Sequence, residues 1–311
     1  MILLYLFIAK QISNNVNRRW DACPTLPFYS SSDLGIEEET FSFYSGKNRL
    51  YGSRYFLSNR PTKAIVVFFH GIGGGRSSYL KEIAETVKHG YLVYAYDYTG
   101  AMQSEGKSIL GLGQIIRDQE AFFSFLDKDP KAEGKKRYAM GHSWGGYGAL
   151  ASIRGAFGVS KIVSISGFIR PSLEYLALIK KTKNVLISLD IRLNLFFRLG
   201  KYGDYDPRKD LSRKDVQVLY IQGRLDHSVP FATSGEVLQK EFKNNPRFTF
   251  LFVDDQHHAP FVSKRAEDYQ NDLGKKGLQR FDRPEGLEMD IAKATEENPK
   301  VMKAIFDFLD K

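Results

Sequence analysis

Cysteine is almost missing from this chain of 311 residues, which holds only Cys23. No disulfide can close within the chain, and a metal site built on cysteine thiolates has too little to draw on. A reducing compartment suits that usage. Cys23 also lacks the small and apolar residues expected ahead of a lipid-attachment site, because Trp20 and Asp21 precede it. Long hydrophobic runs are scarce at the N-terminus. Met1 to Ala9 is almost wholly apolar, but Lys10 follows, and a helix needs about 20 residues to cross a bilayer. No basic stretch precedes this run and no clear small-residue cleavage site follows it. Three readings of it stay open: the remnant of an export or anchor segment, an interfacial helix, or a helix packed on the domain. Zinc-finger spacing and the aromatic–glycine pattern of RNA-binding modules are absent, so nucleic acid is not an expected partner. Internal repeats and low-complexity tracts are absent as well.

Hydrophobic residues make up 42% of the chain, including 23 Phe and 17 Tyr, which is ample for a core and for an apolar pocket. The formal charge is +9. A basic surface serves solubility, and it also suits anionic membranes or acidic substrates. Location is left undecided between the cytoplasm and the membrane periphery, and the oligomeric state is left open.

Residues 1–35 read as a lead-in, polar and turn-rich from Gln11 to Leu34. Residues 36–311 read as one domain. Thr40 to Tyr44 and Tyr51 to Phe56 flank Ser45-Gly46-Lys47-Asn48, a hairpin signal. Short apolar runs follow at Ala64 to Phe69, Tyr91 to Tyr96, Arg137 to Met140, Lys161 to Ser166, Val216 to Gln222 and Phe248 to Val253. Each has the composition of a buried strand. Helical spacing separates some of them, notably over Gln114 to Asp127, and recurs over Pro299 to Asp310. The pattern predicts an α/β fold with a mostly parallel sheet covered on both faces.

An insertion at about 168–214 interrupts the rhythm with two expected helices. Leu173, Leu176 and Ala177 mark one, and Leu186, Leu189, Leu193, Phe196 and Phe197 mark the other. Arg170 to Asp215 holds eleven Lys or Arg and six Asp or Glu, a net of +5. It reads either as a lid that meets lipid or amphiphilic substrate, or as packing helices with a solvated basic surface.

The chemistry centres on Gly141-His142-Ser143-Trp144-Gly145, a G-x-S-x-G motif between a short apolar strand and a helical pattern from Tyr147 to Arg154. A serine at so sharp a strand-to-helix turn is held in strained backbone and exposed at the sheet's edge. The following helix N-terminus favours developing negative charge. His70-Gly71-Ile72-Gly73-Gly74-Gly75 closes an earlier strand, and its backbone N–H groups could face a site. Acyl transfer needs such donors for its oxyanion. The assigned pair is the N–H of Ile72 and that of Trp144, with His70 a structural hydrogen-bonding residue. A phosphate-binding loop is disfavoured, because the Gly-Lys-Ser/Thr ending is missing. A base must be oriented by a carboxylate. Asp226 lies just beyond the strand VQVLYIQ, and His257 and His258 just beyond FTFLFV. All share the end of the sheet where α/β folds build sites.

With these residues in view, the chain resembles the α/β-hydrolase superfamily, particularly its esterase, monoacylglycerol lipase-like and peptidase-like members, over roughly Thr40 to Pro260. Asp226-His227-Ser228-Val229-Pro230 is similar to the family's D-x-x-V-P, which carries the triad acid. His258-Ala259-Pro260 is similar to its H-x-P ending, which selects His258 over His257 as base. Asp97 to Gly106 resembles the D-x-R-G-x-G-x-S-x-G segment, with Thr99 in place of Arg and Met102 in place of the second Gly; these departures bear on loop shape. The resemblance implies a serine hydrolase with the triad Ser143, Asp226 and His258, a cap at the insertion, and neither metal nor organic cofactor. The expected substrate is a carboxylic ester or lipid-like molecule with an apolar acyl group. A peptidase or amidase, an acyltransferase and a non-catalytic ligand-binding relative are the competing readings. No acidic pair near the cap announces a site for a substrate amine. Peripheral membrane contact is expected, if anywhere, through the N-terminus or the basic cap.

Overall fold

The apolar runs become neighbours in one sheet. The computed structural model describes residues 15–21, 28–178, 185–276 and 288–311. Met1 to Ala9 and Cys23 lie outside the described residues. In chain order the elements that matter are β1 (Glu37–Ser45), β2 (Asn48–Phe56), β3 (Ile65–Phe69), α1 (Leu80–Lys88), β4 (Leu92–Tyr96), α2 (Gln114–Leu126), β5 (Arg137–His142), α3 (Trp144–Ala151) and β6 (Val159–Ile165). Next come the insertion helices α4 (Pro171–Leu178), α5 (Val185–Leu199) and α6 (Arg208–Arg213), then β7 (Gln217–Gly223), α7 (Gly235–Phe242), β8 (Phe248–Val253), α8 (Lys264–Lys275), α9 (Ile291–Ala294) and α10 (Pro299–Asp310).

The sheet has eight strands in the order β1-β2-β4-β3-β5-β6-β7-β8. The hairpin β1–β2 and the β2–β4 pair are antiparallel, and every later pair is parallel. Alternation along each central strand sends successive residues to opposite faces. Val67 and Phe69 join the core under α2 and α3, while Val66 and Phe68 join the core under α1 and α10. Both faces are covered, which explains why these strands are apolar throughout. The order runs outward from β3 to β4 and then reverses through β5. That reversal opens a crevice at the carboxyl ends of β3 and β5, where open α/β sheets bind ligands.

One expectation needs correction, and one helix shows what periodicity leaves open. The helix after Ser143 begins at Trp144 rather than Tyr147, because the chain turns within a single residue. In α5 the inward row is Ile187, Ile191, Leu195 and Leu199, whereas Leu186, Leu189, Leu193, Phe196 and Phe197 are exposed. Apolar residues occupy both sides of this helix, so periodicity cannot tell which side packs.

The described part of the lead-in is pinned to the loop after β4. Trp20 donates its backbone N–H to Gly100 O at 2.9 Å and accepts from Met102 N at 2.8 Å. The Arg19 guanidinium spans the carbonyls of Met102, Ser104 and Gly106. Met102, one of the two departures from the family pattern, takes φ +46° within this arrangement. The other, Thr99, places its N–H and hydroxyl on buried Asp118. No helix among the described residues is long and apolar enough to cross a membrane.

Candidate active site

Four strand ends build the site. Ser143 follows β5 directly and has φ +59° and ψ −119°, a region costly for any residue with a Cβ. Its neighbours hold it there: its N–H donates to Ile165 O at 2.8 Å, and its carbonyl accepts the N–H of Tyr147 at 3.0 Å. The turn is tight because α3 leans on the adjacent strand end. A Cβ on Gly145 would lie 1.9 Å from Phe69 O, so only glycine fits. The Trp144 side chain is buried and donates from Nε1 to Leu112 O at 2.7 Å.

Asp226 and His258 come together from the loops beyond β7 and β8. His258 Nδ1 lies 3.0 Å from Asp226 Oδ1 and 2.9 Å from Oδ2. Close backbone approach makes this possible. A Cβ on Gly223 would stand 2.1 Å from His257 O and 2.3 Å from Gln256 O, and Leu225 N donates to Gln256 O at 3.0 Å. Asp226 Oδ1 also accepts from Ser228 N and Val229 N at 2.9 Å each, and Oδ2 accepts from Gln222 Nε2 at 3.2 Å. Burial raises the pKa of Asp226, but the contact with His258 and these N–H donors outweigh it and hold the group below the ordinary carboxylate value.

His257 goes elsewhere. Its backbone N–H donates to Glu267 at 3.0 Å, and its Nδ1 lies 3.2 Å from Glu267 Oε2. His70 is also away from the acid: Nδ1 lies 2.8 Å from Gly71 O, and the ring stacks on Tyr98 at 3.8 Å. Burial lowers its pKa to about 4, so it is neutral at physiological pH.

Gly71, the residue before Ile72, lies against Ser143, and Trp144 follows Ser143 in the chain. A Cβ on Gly71 would sit 3.4 Å from Ser143 Cβ, which places the glycine-rich loop against the serine. Trp144 is the first residue of α3, whose leading N–H groups have no partner within the helix. Among the described residues no hydrogen bond joins Ser143 Oγ to His258 Nε2. Such contacts are commonly long until substrate closes the site.

Residues beyond the expected set tie these loops together. The Tyr79 hydroxyl accepts from Gly71 N at 3.1 Å and lies 2.8 Å from His142 Nδ1. His142 Nε2 reaches His258 O at 2.8 Å. Burial and the neighbouring His258 lower the His142 pKa to about 3, so the ring is neutral. With Nε2 protonated it donates to that carbonyl, and Nδ1 accepts from Tyr79. One phenol and one imidazole thus brace the glycine-rich loop, the serine turn and the histidine loop. His142 occupies the variable position of G-x-S-x-G, and Tyr79 lies in a single 3₁₀ turn, Arg76–Tyr79, so spacing marks neither. Gln222 was legible in principle, since a polar residue completing an apolar strand must find buried partners.

The insertion adds Glu174, in the first turn of α4. It is buried, and no described residue hydrogen-bonds its carboxyl. Burial, reinforced by the charge of Asp226, raises its pKa to about 8. Among the described residues no group of three or more His, Cys, Asp or Glu is arranged to hold a metal ion.

Comparison with known proteins fits this architecture. An esterase of Pyrococcus furiosus superposes with a TM-score of 0.60 at 18% identity, over 83% of this chain and 97% of that one. A dienelactone hydrolase-like promiscuous phosphotriesterase from metagenomic libraries gives 0.56 at 17%, over 88% and 98%. The acylaminoacyl peptidase of Pyrococcus horikoshii gives 0.57 at 17%, over 86% of this chain and 44% of that one. At such identities the likeness establishes the fold. A search of curated proteins finds no match. The family model described as serine aminopeptidase, S33 matches residues 60–220, more than half of the chain. The chain is a hydrolase of the α/β-hydrolase superfamily and belongs to its serine aminopeptidase S33 family.

Proposed function

We propose that the chain is a serine esterase acting on carboxylic esters with an apolar acyl group, through an acyl-enzyme on Ser143. The observation that carries this reading is the Asp226–His258 pair, with Nδ1 2.9 Å from the carboxylate, in the loops beside a serine held at φ +59°. An ionised Asp226 fixes the tautomer that leaves His258 Nε2 as acceptor. Nε2 takes the Ser143 proton as Oγ attacks the acyl carbon. The N–H groups of Ile72 and Trp144 hold the oxyanion, the leaving alcohol receives the proton, and water cleaves the acyl-enzyme by the same sequence.

Labelling with a fluorophosphonate tests the nucleophile. Wild type should label, and Ser143→Ala should not; labelling that persists in the variant refutes the assignment. His258→Ala should abolish turnover of an ester panel while His257→Ala retains most of it, and the reverse outcome transfers the role to His257.

A peptidase reading has one observation in its favour. Glu174 offers a carboxyl on a largely buried residue, close enough to Asp226 to feel its charge, and a substrate ammonium would pair with it. Turnover of aminoacyl substrates but not of acyl esters, lost in Glu174→Gln, would replace the esterase reading.

A further inference from the structure

The glycine-rich loop after β3 has little of its own to hold it. Three of the four residues from Ile72 to Gly75 are glycines, which lose the most conformational entropy when fixed. Gly71 N donates to the Tyr79 hydroxyl, Gly74 N to Gly71 O at 3.3 Å and Gly75 N to Ser78 Oγ at 3.2 Å. Among the described residues no hydrogen bond uses the N–H of Ile72 or of Gly73, and Gly73 sits at φ +75°. An oxyanion donor works well only where it is already aimed. Two side chains from outside the loop supply the restraint. A Cβ on Gly73 would stand 3.3 Å from Trp20 Cε3 and 3.4 Å from Cζ3, and one on Gly75 would stand 2.5 Å from Met102 Cγ. Indole and thioether side chains therefore press on the loop at the residues before and after Gly74.

Those two residues belong to one arrangement. Met102 N donates to Trp20 O at 2.8 Å, and Met102 O accepts from the Arg19 guanidinium. The lead-in thus holds both backbone groups of Met102, which keeps a residue with a Cβ at φ +46°. Trp20 is held in turn. Its N–H donates to Gly100 O at 2.9 Å, its Nε1 donates to Val16 O at 2.9 Å, and the Arg18 guanidinium lies 4.2 Å from its ring centre. Upstream, Asn17 is buried. Its carbonyl accepts from Ile109 N at 3.2 Å, and its Oδ1 accepts from the Tyr175 hydroxyl of α4. Val16, Trp20 and Ile72 all pack on the core that contains Trp144. A segment far from the serine in sequence therefore reaches the glycine-rich loop, the loop after β4 and the first insertion helix together.

We infer that Trp20 is a positioning residue for the glycine-rich loop, and that residues 16–20 form a strap on whose hold the aim of the Ile72 N–H depends. Met102 is the second contact of the same clamp. The consequence for rate rests on the esterase reading, in which that N–H meets the oxyanion; the clamp itself does not. Without the indole, Gly73 regains backbone conformations that turn the preceding N–H away from the serine. A ground-state carbonyl leans on that donor less than an oxyanion does, so the loss falls on kcat.

Amide hydrogen exchange on the full-length protein, read by mass spectrometry, probes the clamp without any substrate. Trp20→Ala should speed exchange at the hydrogen-bonded amides of Gly71, Gly74 and Gly75 at least about tenfold, and leave peptides covering Asp226 and His258 unchanged. On a short soluble ester the same variant should lower kcat about ten- to a hundredfold, with KM within about twofold of wild type. Trp20→Phe, which keeps a ring on Gly73, should recover most of the rate. Arg19→Ala, which leaves the indole in place and frees the Met102 carbonyl, should move both readings in the same direction by less, and it carries the test if Trp20→Ala does not fold. Unchanged exchange in the loop, or unchanged kcat in an active enzyme, overturns the proposal. So does a raised KM at unchanged kcat, which makes Trp20 a pocket wall. A faster variant, which makes the strap a cover, or faster exchange throughout the chain, which makes it ordinary packing, overturns it as well. If loop exchange responds as expected but wild type turns over no ester, the esterase reading fails and the clamp stands.

Discussion

Replacing Tyr79 with Phe removes one oxygen from the site and nothing else of consequence. That oxygen accepts from Gly71 N at 3.1 Å and lies 2.8 Å from His142 Nδ1. Its loss strands one donor and one acceptor, and each buried unsatisfied group costs about 1–3 kcal/mol. Water can recover little of this. The cavity beside Tyr79 and His142 has about 10 Å³, room for roughly one molecule, and is lined mainly by apolar groups such as Phe68, Met140 and Phe261. A stability loss of about 2–3 kcal/mol is therefore expected, which at this chain length lowers Tm by several degrees. If the brace also aligns the loops, misalignment equivalent to about 1.4 kcal/mol slows acylation about tenfold. Calorimetry reads the first quantity and the rate of fluorophosphonate labelling reads the second. His142→Gln, which restores an amide donor toward His258 O, should label faster than His142→Ala. Tyr79→Phe with unchanged Tm and an unchanged labelling rate would refute the brace. A fall in Tm alone would reduce it to a packing element.

Other substitutions probe the same frame. Asp226→Asn should lower kcat by about three to four orders of magnitude, because the amide no longer fixes the histidine tautomer; a steady-state assay on a soluble ester checks this. Gly145→Ala should fail to fold or lose more than about 3 kcal/mol in a denaturant titration, since its Cβ meets backbone at 1.9 Å. Glu174 holds its proton to about 8 in the folded chain, against an ordinary carboxyl value of 4.5. Stability tied to that proton is full below the unfolded value and disappears as pH climbs toward 8. Glu174→Gln should therefore match wild type near pH 4 and exceed it in Tm at pH 8.5. For Asp226 the sign is opposite: its depressed pKa contributes stability above the ordinary carboxylate range that is lost on acidification. Wild type should thus lose an acid-side share of stability that Asp226→Asn does not have, read from Tm against pH.

Much of the fold could be read from residue order. Strands such as β3 and β8 are short runs of branched and aromatic residues, and burial on both faces leaves them no polar positions. Ser143, Asp226 and His258 stood out in the sequence because each lies just beyond such a run, and the structure brings the last two into contact. Other parts were hidden for physical reasons. Tyr79 and His142 act through single hydrogen bonds across distant segments, a relation with no period. Glu174 is an acidic residue in a helix, ordinarily a solvent-facing one, and only tertiary packing buries it. The packed side of α5 was illegible because its two faces have similar hydrophobicity, so which one faces inward depends on neighbours that the sequence does not display.

The contact at Gly223 leaves little slack between the two loops that meet there. Carboxylate and imidazole are carried by backbones in direct contact, so a fluctuation of either displaces both, and their mutual geometry survives. On the proposed esterase mechanism, adjustment on substrate arrival is then concentrated across the gap between imidazole and hydroxyl, and tolerance for acyl groups of different bulk is set there.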